Sequence, residues 1–378
     1  MIYLDNAATT YPKPPQVYNA MTKAMKKYGA NPGRSGHKMS MESALEIYEC
    51  RRVAAKMFNA PGEECVAFTL NCTHATNMVL KGLLKPGDNV VTSCLEHNAI
   101  MRPLKKLEER GVTHTTAKVY PGDNDKTVDS FRKCITSKTA LIVCTCASNV
   151  WGIKLPIERI AALAKVYGIP MMVDAAQGAG LVELDMEKYN IDYLCLAGHK
   201  GLYGPMGTGM LIASSANRLN TIIEGGTGTN SLSYYQPSDM PEKLESGTPN
   251  IIGIAGLRAG MEYVDRMGIE KIRDHESKLM TCFYDRVEKM KHVELYMPRP
   301  DKKYFAPVVS FNIKGKDSES VGNILDSNGI EVRSGLHCAP AAHKFAGTLE
   351  RGAVRVCPSV FTSQGEIDRL VNVIQKMS

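Results

Sequence analysis

Residues 193–210, YLCLAGHKGLYGPMGTGM, constrain the chain more than any other stretch. Tyr193, Leu194, Cys195, Leu196 and Ala197 form an apolar run that reads as a short buried strand. The run breaks at Gly198-His199-Lys200-Gly201, and Gly204-Pro205, Gly207 and Gly209 follow. Glycine and proline at that density demand a tight, shaped loop. Lys200 therefore stands at the mouth of such a loop, directly after a buried strand. A lysine held against an apolar wall loses proton affinity, because desolvation disfavours the ammonium form. Lowered in this way it suits Schiff-base chemistry with an aldehyde. On this stretch alone, a solvated loop lysine is the simpler reading.

The preceding strand adds a second constraint. Residues 169–177, IPMMVDAAQ, form an apolar run that stops at Asp174. In open α/β sheets, ligands gather at the carboxyl ends of strands. Asp174 lies 26 residues before Lys200. It is placed to partner the pyridinium nitrogen of pyridoxal 5'-phosphate (PLP), which must stay protonated if the ring is to store electrons. The alternative is an ordinary strand-end or helix-capping aspartate.

VDAAQ followed by GHKGLYGPMGTG resembles the class V aminotransferase family of fold-type I PLP enzymes. Within it, the chain is similar to the Suf-type (group II) cysteine desulfurases and the selenocysteine lyases. The likeness runs from LDNAATT near the N-terminus to VRSGLHCAP and VRVCP near the C-terminus, nearly the whole chain. It implies an α/β fold: a large domain with a mostly parallel seven-stranded sheet, plus a smaller α+β C-terminal domain. Residues 1–15 would lie beside the active site, 16–261 form the large PLP-binding domain, and 262–378 form the small domain. The residue patterns agree, since strands alternate with helices through the first half of the chain.

Composition narrows the function classes. A length of 378 residues suits two domains. The net charge of +7 is spread without a long basic run, which argues against nucleic acid as the main partner. No apolar stretch reaches membrane-spanning length. The opening MIYLDNAATT lacks the basic and apolar regions of a signal peptide, so a cytoplasmic location is expected. Eleven cysteines contain no Cys-x-x-Cys pair. In a reducing compartment most of them read as small core residues, Cys144 and Cys146 included.

Other motifs fall into place along the chain. KPPQVYNAMTKAMKKYG reads as an amphipathic helix ended by Gly29. The loop NPGRSGHKMS carries Arg34 and His37, which the resemblance puts at the rim of the cofactor pocket across a dimer interface; a plain surface loop is the alternative. FTLNCTHATNMVLKGL reads as strand, turn and helix, with Thr73 at the helix start. Such an end binds anions through free N–H groups and the dipole. The resemblance assigns Cys72 and Thr73 to the PLP phosphate, although Thr73 would also serve as a simple cap. It stacks His97 on the pyridine ring. It gives Asn149 the phenolic oxygen and the substrate carboxylate, and adds Gln177 and His199 to the cofactor set. Trp151, the one tryptophan, either shapes the substrate pocket or packs. ESGTPN resembles the segment that brings Thr248 onto the phosphate of the neighbouring subunit, which implies a homodimer.

The C-terminal third holds the sulfur-handling residues. IEVRSGLHCAPAAHKF matches the R-x-G-x-H-C-A pattern, in which Cys338 is the nucleophile that takes the sulfur. A thiolate is the reactive form, and Arg333 nearby favours it. An inert cysteine, or a metal site of His337, Cys338 and His343 short of a fourth ligand, are the alternatives. In GAVRVCP, Arg355 stands where the family binds the amino-acid carboxylate, a task for a planar bidentate fork. One departure concerns Ala197. The family usually has Ser or Thr there, bonded to the phosphate, so PLP affinity rather than chemistry is put in question. The resemblance implies a PLP-dependent cysteine desulfurase that converts L-cysteine to L-alanine. Lys200 would move the proton, His97 assist, and a persulfide form on Cys338 for a sulfur-acceptor protein. A selenocysteine lyase acting on L-selenocysteine, or another C–S β-lyase, is the alternative on the same scaffold. A non-enzymatic sulfur carrier with degenerate PLP binding is the rival outside enzymes.

Overall fold

The computed structural model describes residues 1–32 and 36–377. The chain opens with β1 (Ile2–Tyr3), α1 (Pro15–Lys27) and α2 (Lys38–Phe58). An alternation of strands and helices follows: β2 (Val66–Thr69), α3 (Cys72–Leu83), β3 (Asn89–Ser93), α4 (Asn98–Glu108), β4 (Thr113–Ala117) and α5 (Asn124–Cys134). It continues with β5 (Thr139–Thr145), α6 (Ile157–Val166), β6 (Met171–Asp174), α7 (Met186–Tyr189), β7 (Tyr193–Ala197) and β8 (Gly209–Ala213). The C-terminal part comprises α8 (Ile251–Met267), α9 (Ile269–Val287), β9 (Val293–Leu295), β10 (Val309–Ile313), α10 (Ser318–Ser327), β11 (Ile330–Glu331), β12 (Arg333–Gly335), α11 (Pro340–Ala346), β13 (Ala353–Val356) and α12 (Gln364–Gln375).

The seven-stranded sheet runs β2-β8-β7-β6-β5-β3-β4. Only β8 is antiparallel to its neighbours, β7 and β2. Alternate residues of each strand feed opposite sides, as the pleat requires. Leu141, Val143, Met172, Tyr193 and Cys195 pack into one apolar cluster, and Ile142, Cys144, Val173, Leu194 and Leu196 into the other. Helices cover both faces. This is why the strands read as unbroken apolar runs rather than alternating ones. Each such side chain taken fully out of water contributes about 1.5–3 kcal/mol.

The second sheet, β12-β13-β10-β9, is antiparallel. It packs over a third core that includes Phe283, Phe311, Val356 and Leu370. The start of the chain joins this core: Ile2 and Leu4 are buried in it, β1 pairs in parallel with β11, and Asp5 bridges to Cys357. α12 opens on a full capping box, Ser363 with Glu366.

Two local expectations need correction. Thr73 does not start its helix; α3 begins at Cys72, and the Asn71 side chain caps it by accepting from the His74 N–H at 2.9 Å. Asparagine caps at least as well as threonine, so the earlier position wins. IEVRSG is not one strand. The backbone changes partner at Val332, with β11 pairing to β1 and β12 pairing to β13.

Candidate active site

The carboxyl ends of β5, β6 and β7 and the N-termini of α3 and α4 converge on a cavity of about 100 Å³. Asp174 ends β6, and Lys200 follows β7. The loop after the lysine touches the segment after Asp174 backbone to backbone. A Cβ on Gly201 would come within 2.3 Å of the Ala179 carbonyl oxygen, and one on Gly180 within 2.1 Å of the Gly201 carbonyl oxygen. Only glycine permits that approach, and it pins the lysine loop. Lys200 is half-buried and lines the cavity. Desolvation lowers its pKa, Asp174 pulls the other way, and Arg355 reinforces the lowering.

Asp174 accepts on Oδ1 from the Ala176 N–H at 2.9 Å and the Cys72 thiol at 3.4 Å. Both bonds fall on one oxygen, so Oδ2 is the oxygen left for a ligand. His97 caps α4, its Nδ1 accepting from the Ala99 N–H at 3.0 Å. The ring proton of the neutral form is thereby placed on Nε2. Burial lowers the His97 pKa, against a raising pull from Asp174. His199 is fixed by its carbonyl oxygen, which accepts from the Thr10 N–H at 3.1 Å, the Thr9 hydroxyl at 3.0 Å and the Lys13 ammonium at 2.7 Å. Its Nδ1 is buried without a partner. Burial, then Lys200 and Lys13, push its pKa down to about 4. Gln177 donates to the Ala7 carbonyl at 2.9 Å. Thr73, Asn149 and Ala197 complete the relevant lining.

Cys338 and Arg355 adjoin this cavity. The Asn149 amide donates to the His337 carbonyl at 2.8 Å, and the Asn98 N–H donates to the Cys338 carbonyl at 2.8 Å. His337 and Cys338 both hold left-handed backbone, at φ 52° and 54°. That conformation is disfavoured for side chains of this kind and turns the thiol outward. Among the described residues, Cys338 is the one cysteine in the exposed class. The Arg333 guanidinium lies 3.7 Å from its sulfur. Arg355 is 1% exposed, donates to the Asn149 carbonyl at 3.0 Å and to Asp5 at 2.5 Å, and keeps a buried Nε with no partner. That free donor, on a cation next to Lys200, suits a small carboxylate.

The class-V aminotransferase family model matches residues 2–370. The chain belongs to this family. A protein of Methanothermobacter thermautotrophicus described as "Probable cysteine desulfurase" is 35% identical over 386 residues, covering all of this chain and 94% of that protein. The apo structure of a cysteine desulfurase from Thermococcus onnurineus superposes with a TM-score of 0.93 at 33% identity, covering 100% of this chain and 94% of that one. A cysteine desulfurase from Escherichia coli, in an S-sulfonic acid form, gives 0.88 at 27% identity, covering 99% and 94%.

Class-V aminotransferases are PLP-dependent. The residues here fit that group. The first turn of α3 offers N–H groups and the unpartnered His199 Nδ1 offers a further contact for a phosphate. Oδ2 of Asp174 remains for a ring nitrogen, and Lys200 is a desolvated amine. Thr248 is not brought to its own chain's cavity. It lines a separate cavity with His74 and Asn250, and accepts from the Asn31 amide at 3.3 Å. Arg34 lies outside the described residues. His37 caps α2, its Nδ1 accepting from the Ser40 N–H at 3.3 Å. Trp151 packs: it is buried against Tyr296 and His343, and its indole donates to the Ala342 carbonyl at 2.7 Å.

Three side chains escaped sequence reasoning. Asp5 sat unremarked in LDNAATT, although it is the ion partner of Arg355. Lys13 is half-buried, and desolvation lowers its pKa to about 8. Glu96 is fully buried beneath the cavity and accepts from the Thr145 N–H at 3.0 Å. Burial raises its pKa to about 8. A charge just ahead of His97 in an apolar run was the signal available for Glu96.

Proposed function

We infer that the chain is a PLP-dependent cysteine desulfurase that moves the sulfur of L-cysteine onto Cys338 and releases L-alanine. One observation carries the reading: the exposed Cys338 thiol sits on a loop bonded through Asn149 and Asn98 to the walls of the Lys200 cavity. Full-length relatives described as cysteine desulfurases support it.

Bound PLP would supply an aldehyde for the substrate amine and a ring able to store electrons. Cys72, Thr73, Gln177 and His199 would hold the phosphate end, and Asp174 would keep a proton on the ring nitrogen. Asn149 and Arg355 would orient the substrate, the arginine through its free Nε. Lys200, its proton affinity lowered by desolvation, would accept the Cα proton and return it, with His97 assisting. The Cys338 thiolate would then attack the substrate sulfur. The substrate C–S bond breaks, an S–S bond forms on Cys338, and the carbon skeleton leaves protonated as alanine. The sum is cysteine plus thiol giving alanine plus persulfide, with no outside oxidant. An exposed persulfide is open to a sulfur-acceptor protein.

A homodimer belongs to the same reading. Thr248 lines a site other than its own chain's cavity, and Leu232, Tyr234 and Tyr235 in the preceding loop are largely or fully exposed. Free cysteines throughout fit a reducing cytoplasm. No described helix is long and apolar enough to cross a membrane.

The test is Cys338→Ala. It should keep PLP and the spectral response to cysteine, yet stop alanine formation. If alanine forms at the parent rate, Cys338 is a bystander. The selenocysteine lyase or β-lyase reading then takes over, whereas selenocysteine cleavage that survives in the variant leaves the desulfurase reading standing.

A further inference from the structure

Behind Cys338 runs a buried chain of hydrogen bonds. His337 Nε2 lies 3.2 Å from the Arg333 carbonyl oxygen, His337 Nδ1 lies 3.4 Å from His343 Nε2, and His343 Nδ1 lies 2.8 Å from the Thr348 hydroxyl. The two imidazoles are nearly parallel, with 7° between their planes, and both are buried. With both rings neutral, donor and acceptor counting assigns the protons. A carbonyl only accepts, so His337 Nε2 carries hydrogen and donates to Arg333. In a neutral ring its Nδ1 is then an acceptor. His343 Nε2 must donate to it, which leaves His343 Nδ1 as an acceptor for the Thr348 hydroxyl. The hydroxyl also lies within 3.4 Å of the His343 carbonyl, which takes the Thr348 N–H at 2.9 Å, but the ring nitrogen at 2.8 Å is the nearer acceptor.

The chain therefore has one direction, from Thr348 through His343 and His337 to the Arg333 carbonyl. An extra proton on His337 would reverse the chain, turning His343 Nδ1–H toward the Thr348 hydroxyl and that hydroxyl toward the His343 carbonyl at 3.4 Å, so the single direction belongs to the neutral rings. Desolvation points the same way, holding both rings well below the ordinary histidine range. Both ends matter to the thiol. Arg333 carries the guanidinium beside the Cys338 sulfur, and His337 is the neighbour that shares its left-handed backbone.

We propose that Thr348, His343 and His337 are positioning residues that set the Arg333 backbone and the Cys338 turn for sulfur transfer, through a single-direction chain of neutral hydrogen bonds. The proposal rests on Cys338 as the nucleophile. Removing the Thr348 hydroxyl would free both rings to exchange tautomers, and the Arg333 carbonyl would lose its donor part of the time.

The experiment uses the full-length holoenzyme. Histidine ¹⁵N spectra of the parent protein should show His337 and His343 as Nε2–H tautomers, unchanged between pH 8 and pH 5. Thr348→Val keeps the shape and removes the donor. It should mix the tautomers and slow both iodoacetamide labelling of Cys338, read on its peptide by mass, and kcat. The expected loss is about five-fold, the factor one neutral hydrogen bond is worth. KM for cysteine should stay put, and Thr348→Ser should restore both rates. An Nδ1–H tautomer on either ring, or titration above pH 5, overturns the proposal without any variant. So do parent labelling and kcat in Thr348→Val. Parent-rate alanine formation by Cys338→Ala would instead strike the nucleophile reading, a separate result.

Discussion

Ala197→Ser is expected to tighten PLP binding, and the size follows from where Ala197 sits. It ends β7 at 2% exposure and lines the cavity beside Cys72, Thr73 and His199, the residues assigned to the phosphate. A new hydroxyl donating to a charged group is worth about 1.5–3 kcal/mol. At 1.4 kcal/mol per decade, the dissociation constant should fall about 10- to 150-fold. Ala197 is nearly fully buried, so in the apoprotein the same hydroxyl is largely withdrawn from water. Without cofactor it should cost about 1–3 kcal/mol, the penalty of a buried unmet polar group. The variant thus separates two effects of opposite sign: a weaker apoprotein in urea and a tighter holoprotein in PLP titration. Ala197→Val supplies bulk without a donor and should weaken binding. Equal dissociation constants for parent and Ser variant would refute the reasoning, and so would tightening by valine.

Borohydride reduction of the holoprotein should fix PLP to the peptide containing Lys200; a label on Lys13, the other desolvated lysine near the site, would reassign the amine. Light scattering at micromolar concentration should give a dimer, and an active monomer would contradict the role given to Thr248. Glu96→Gln should gain stability relative to the parent as pH rises. The Glu96 pKa, about 8 folded against an ordinary value near 4.5, means the folded state binds the proton more tightly. The parent therefore loses stability between roughly pH 4.5 and 8, by up to about 1.4 kcal/mol per pH unit, and glutamine does not. Urea midpoints of the two proteins at pH 5 and pH 8 check this; a constant difference would show that Glu96 is ionised throughout.

What was legible in the sequence is what depends on local order. Strands buried on both faces announce themselves as apolar runs, and the loops that bear Lys200 and Cys338 announce themselves by glycine. The cavity accordingly collects Asp174, His97, Asn149 and Lys200 from separate motifs. What was illegible depends on contacts between remote segments. Nothing in LDNAATT says that Asp5 meets Arg355, 350 positions away. The split of IEVRSG comes from two different partner strands, not from its own residues. The cap at Asn71 was lost because Thr73, two positions on, satisfies the same local rule. His343 and Thr348 belong to α11 and the turn after it, and their link to Cys338 appears only once α11 is folded back.

The way β1 and Asp5 are tied has a consequence for biosynthesis. A ribosome delivers the N-terminus first, yet its partners are residues 330, 331, 355 and 357. At about 5–20 residues per second, Asp5 waits roughly 20–70 s for Arg355 to emerge. Over the last 155 residues of that interval the nascent chain holds Lys200 but not the residue that would grip a substrate carboxylate. On the roles proposed for Cys338 and Arg355, catalytic competence waits for the last fifty residues of the chain, and a half-made chain lacks the thiol that would take the sulfur.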